Sequence, residues 1–213
     1  GIGKIALASL LAEPALAAPP RRDPLAPKRP HLAPKAKRVI HIHLTGSPPH
    51  LDMYDYKPAL AKRSGEDCPE SFLKGRTFAF TLGVPKLLGT PRTFGQYGAG
   101  GTWMSDAVPH FHAIADDLCV VKSMFTEQFN HAPAELLLYT GSPRSGRPSM
   151  GSWLLYGLGT ENSELPGFIT LNPIGRVGGA QNYGSAFLPA SFQGTRIGGE
   201  GVDLAKASIP NLR

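Results

Sequence analysis

The sequence predicts an α/β fold, a mostly parallel sheet flanked by helices. Three observations carry this reading. Short apolar, β-branched runs alternate with segments of helical spacing along the body of the chain. The 213 residues are 41% hydrophobic, enough to bury a sizeable core. Gly and Pro number 25 and 21, well above average usage, so the connections are numerous and turn-rich.

Each element follows from its own residues. Lys37–Leu44 (KRVIHIHL) runs into alternating β-branched residues and is expected to be the first strand, closed by the turn-forming Thr45-Gly-Ser-Pro-Pro49. A short helix is expected over 57–63, and a hairpin with irregular loops within 76–103. Met104–Ala115 has helical spacing and Ser105 as a cap, but Pro109 either breaks that helix or moves its start to 109. Leu118–Met124 (LCVVKSM) reads as a buried strand, Ala134–Tyr139 and Met150–Leu158 as helices, and Gly167–Leu171 as a further short strand.

Charge and cysteine content exclude several classes. Lys4, Arg21, Arg22, Lys28, Arg29, Lys35, Lys37 and Arg38 face only Glu13 and Asp23 within residues 1–38, so this arm holds the entire net charge of +6. The arm has no aromatic residues for stacking and no base-reading motif, so nucleic acid is not the expected partner. Two Cys exclude a disulfide scaffold and a Cys-based zinc cluster. No apolar run is long enough for a transmembrane segment. A Walker loop, a G-x-S-x-G elbow and an H-E-x-x-H pair are missing, so no nucleotide cofactor is expected and common serine hydrolases and zincins lose support.

Residues 1–18 read as an export signal. The apolar stretch Ile5–Ala12 precedes Ala15-Leu-Ala17, an A-x-A-like cleavage pattern. The chain begins at Gly1 with no charged region of usual length before that stretch, so the leader is expected to be truncated. Residues 19–38 are Pro-rich and basic and read as a linker. Residues 39–213 form the body, and the expected location is periplasmic or extracellular.

Three constellations carry candidate chemistry. His50, Asp52 and Asp55 follow the first expected strand, where ligands bind in α/β sheets, and supply metal-ligand chemistry; the same acids also serve as turn caps. Asn130 and His131 stand at an expected strand-to-helix turn, which suits an anion, with His131 as base, ligand or nucleophile, or as a packed loop residue. Arg144 and Arg147 lie in the Gly/Pro-fixed loop Thr140–Gly151 and suit sulfate, phosphate or carboxylate, or simple solvation. His41 and His43 share one face of the first expected strand.

Two stretches carry a resemblance. Val108–Met124 (VPHFHAIADDLCVVKSM) followed by Asn130–Gly141 (NHAPAELLLYTG) is similar to the sulfatase segment of the alkaline-phosphatase superfamily, with Thr140-Gly141 matching its closing T-G. More closely, GSPPHLDMYDYKP, GTWMSDAVPHF, ADDLCVVKSM, NHAPAELLLYTGSPRSGRPSMGSWLLYGLG and LPGFITLN resemble a bacterial family of sulfatase-like exported proteins, domain of unknown function 1501, over about residues 36–200. The resemblance implies the N-terminal part of one alkaline-phosphatase-like domain, preceded by a twin-arginine-like leader, though the Arg pair is not in this chain. His131 stands in the slot of the sulfatase nucleophile Cys, Glu135 in that of its Arg, and Thr45 and Gly46 in those of its first carboxylate pair. Formylglycine chemistry is therefore excluded at this site.

Two functions remain in view. One is a divalent-metal-dependent hydrolase of sulfate or phosphate esters, with His50, Asp52 and Asp55 on the metal, Asn130 and His131 facing the transferred group, and Arg144 or Arg147 on the anion. The other is a non-catalytic exported or cell-surface protein that binds a sulfated or phosphorylated ester or glycan on the same fold.

Overall fold

The computed structural model describes residues 23–207 apart from 47, 77, 79, 80 and 176. The expected export signal and the first residues of the linker lie outside that range. The chain divides into two compact units. Arg38–Phe129 form one, and the described residues on either side of it form the other.

In the Arg38–Phe129 unit, Pro58–Lys62 is helix α1 and Glu70–Leu73 is α2, each entered through proline, whose fixed φ suits a first turn. The expected hairpin is formed by β1 (Phe94–Tyr97) and β2 (Thr102–Ser105), antiparallel with Phe94 opposite Ser105 and Tyr97 opposite Thr102. Its turn is held from below. The Asp116 carboxylate accepts from Ala99 N–H at 3.0 Å and Gly100 N–H at 3.2 Å, and these two bonds hold its pKa below the usual 3.8. Met104 on β2 is wholly buried. Helix α3 begins at Pro109 and runs to His112, so proline sets the start and Met104–Ser105 join the sheet instead. The ring of His112 stacks on Tyr97 at 3.6 Å between centroids, and its Nε2 lies 2.9 Å from the Ser105 carbonyl.

The second unit carries the two longest helices. Helix α4 (His131–Thr140) is capped by Asn130 and ends at Gly141, whose φ of +74° is the left-handed C-terminal conformation that glycine adopts without a Cβ penalty. Helix α5 (Met150–Leu158) is capped by Ser149, whose side chain accepts from Ser152 N–H. Strands β3 (Ile169–Leu171) and β4 (Thr195–Ile197) pair in parallel, Ile169 opposite Thr195. Leu136, Leu155 and Phe192 form the buried apolar centre. Part of the expected linker docks on this unit: Lys28 N–H donates to the Leu158 carbonyl at 2.9 Å, and Thr160 N–H to that of Leu25 at 2.8 Å. The Lys28 ammonium lies over the rings of Tyr156 and Phe192, at 5.2 and 5.6 Å.

The protein is thus mixed α/β, with small sheets. The large parallel sheet is a correction: the described residues hold two sheets of two strands each. Neither Lys37–Leu44 nor Leu118–Met124 forms a strand: among the described residues no neighbouring strand pairs with either. A strand is defined by its partner's ladder, and apolar alternation alone supplies none. Residues 39–44 still alternate: the rings of His41 and His43 are parallel within 5°, 6.3 Å apart. No helix among the described residues is long and apolar enough to cross a membrane.

Candidate functional site

The first constellation is built on a 3-10 turn over His50–Asp52, with the N–H groups of Met53, Tyr54 and Asp55 all bonded to the His50 carbonyl. Ser105 clamps this turn to β2, its hydroxyl donating to the Asp52 carbonyl and its N–H to that of Met53. The turn carries Asp55 inward, where the carboxylate is nearly buried. Lys57 Nζ lies 2.8 Å from Asp55 Oδ1, and His50 Nε2 lies 3.8 Å from Oδ2. His50 itself is exposed.

Two of the three predicted metal ligands therefore meet, and a lysine ammonium shares the carboxylate with them. Among the described residues no group of three or more His, Cys, Asp or Glu converges in a way that could hold a metal ion. As arranged, His50, Asp52 and Asp55 do not supply the donor set that a divalent cation takes.

Asn130 and His131 open α4. Asn130 Oδ1 accepts from Ala132 N–H at 3.4 Å, so its side chain serves the helix end. His131 is the first helical residue and is exposed. Arg144 and Arg147 follow on the loop that joins α4 to α5. Thr140 Oγ1 donates to the Leu136 carbonyl at 2.7 Å, Ser142 Oγ accepts from Arg144 N–H at 3.2 Å, and Pro148 is wholly buried beside the Ser149 cap. Gly146 takes φ +97° between the two arginines. The loop backbone is thereby fixed at both ends while both guanidinium groups face solvent, with no carboxylate within ion-pair distance among the described residues.

One polar cluster was not singled out as a site from sequence. Glu135 on α4 is only 6% exposed. Its Oε2 accepts from Asn182 Nδ2 at 3.0 Å, and the same amide donates to the Val177 carbonyl at 3.1 Å. Glu135 Oε1 and Asn182 Oδ1 are buried with no hydrogen-bond partner. Burial, and then the nearby Glu135 charge, push the Tyr139 phenol above its usual pKa. The signal in the sequence was a single acid inside an otherwise apolar helix, HAPAELLLYT. Cys68 and Cys119 are both free thiols.

Fold and site together define a mixed α/β protein with a fixed, arginine-bearing loop between its two longest helices. The chain belongs to the family described as Protein of unknown function (DUF1501), whose family model matches residues 36–212. No curated protein and no solved structure matches it.

Proposed function

We propose that the chain is part of an exported, sulfatase-like protein that binds sulfate or phosphate esters, carried for example on a glycan, without hydrolysing them. The observation that carries this reading is the Arg144/Arg147 loop: two exposed guanidinium groups, unpaired with acids among the described residues, on a backbone pinned by Thr140, Ser142 and Pro148. Guanidinium forks match the oxygens of a sulfate or phosphate group, and a fixed backbone lowers the entropy lost on binding. The sulfatase-like ancestry and the export rest on the sequence motifs and on residues 1–18. Binding is favoured over hydrolysis because His131 replaces the nucleophile and Asp55 is shared with Lys57.

The test uses the full chain, a sulfated oligosaccharide as the binding probe, and para-nitrophenyl sulfate and phosphate as turnover probes. Titration calorimetry should show salt-sensitive binding of the sulfated probe. Arg144→Ala and Arg147→Ala should each weaken it by about tenfold or more, since a hydrogen bond to a charged group contributes roughly 1.5–3 kcal/mol. No nitrophenol should be released with magnesium, calcium, manganese or zinc added. Binding that is absent, or unchanged in the double variant, overturns the proposal. Metal-dependent release of nitrophenol replaces it with the hydrolase reading.

A further inference from the structure

The second unit holds a cavity of about 500 Å³ between the end of α5, the loop after it and the approach to β4. Residues of the docked segment before Lys28 form one wall. Its polar lining is mixed in an informative way. Asn162 Oδ1 is taken by the N–H groups of Glu164 and Leu165, at 2.9 and 3.0 Å, which leaves the Nδ2 hydrogens to donate. Asp23 Oδ1 accepts from Leu25 N–H at 2.9 Å, which leaves Oδ2. Glu161 and Gln193 line the cavity with exposed side chains that make no hydrogen bond among the described residues. Among the described residues no Lys, Arg or His lines it.

We infer that this cavity binds an uncharged, polyhydroxylated ligand, a mono- or disaccharide. Two carboxylates, with no cation among the described lining residues, disfavour a sulfate, a phosphate or a carboxylate. They accept well from hydroxyl groups, while Asn162 Nδ2 donates and the Gln193 amide both donates and accepts, which together is the pattern vicinal hydroxyls require. The volume falls in the range of small-ligand sites. The inference stands apart from the Arg144/Arg147 loop, whose side chains are not in this lining.

The experiment is calorimetric titration of the full chain with neutral mono- and disaccharides of glucose, galactose, mannose and N-acetylglucosamine. At least one is expected to bind. Glu161→Ala with Gln193→Ala should weaken that binding about tenfold or more, as expected for two lost hydrogen bonds. Both side chains are exposed, so the thermal melt of this variant should match the parent. Arg144→Ala with Arg147→Ala should leave neutral-sugar binding unchanged, which separates this inference from the proposed function. Failure of every sugar at tens of millimolar overturns it. So does sugar binding indifferent to the Glu161 and Gln193 changes, or binding of a diamine such as putrescine in place of any sugar.

Discussion

At the scale of single residues, the least comfortable group in the protein is Glu135. A buried carboxylate is tolerated when hydrogen bonds replace its water, and among the described residues this one has a single neutral donor, Asn182 Nδ2, on one oxygen and nothing on the other. The pair is asymmetric in consequence. Asn182→Ala removes the donor that Glu135 has among the described residues and should cost about 1–3 kcal/mol in urea unfolding. With Glu135→Leu in place there is no charge to strand, and the same Asn182 substitution should cost distinctly less, its residue being the bond to the Val177 carbonyl. Equal costs in the two backgrounds would mean that Glu135 gains nothing from Asn182. Sequence alone offered half of this: an acid in an apolar helix is visible, but the asparagine that meets it lies 47 positions away.

At the scale of elements, what was legible was what is local. Helix α5 was expected over Met150–Leu158 and is found there, because Ser149 as cap and Gly159 as terminus are written beside it. Helix α4 extends three residues before the expected Ala134, since the Asn130 cap places Pro133 in the first turn, where proline is tolerated. The α5 cap is also a tertiary joint. Ser149 N–H and Ser152 Oγ both donate to the Gly184 carbonyl at 3.0 Å, and the two buried hydroxyls lie 3.0 Å apart. Ser149→Ala strips the helix of its cap and Ser152 of a partner, so it should destabilise by about 1–2 kcal/mol. Ser152→Ala should cost less, because the Gly184 carbonyl keeps its bond from Ser149. Chemical denaturation of the two variants reads the order directly, and the reverse order would show that the joint, not the cap, holds this helix end.

At the scale of the whole molecule, the strands expected over Lys37–Leu44 and Leu118–Met124 are missing from the described elements for one shared reason. Alternation and β-branching describe a surface ready to pair, and pairing is settled by residues far away in the chain. The apolar side chains remain where such a surface would place them. Ile40 is 86% exposed, Ile42 76%, Met124 73% and Phe125 88%, while the buried hydrophobic core of the described residues is Met104, Ala115, Leu136, Leu155 and Phe192. Exposed apolar segments are surfaces to which another molecule can add. The protein should therefore self-associate as concentration rises, in size-exclusion chromatography with light scattering. Ile40→Lys with Ile42→Lys should shift it toward monomer, because edge lysines oppose strand addition. It should do so without lowering the unfolding midpoint, since neither side chain is packed against the core. A chain that stays monomeric at every concentration would sink this reading of 39–44. A double variant that loses stability would show instead that these isoleucines are buried in solution.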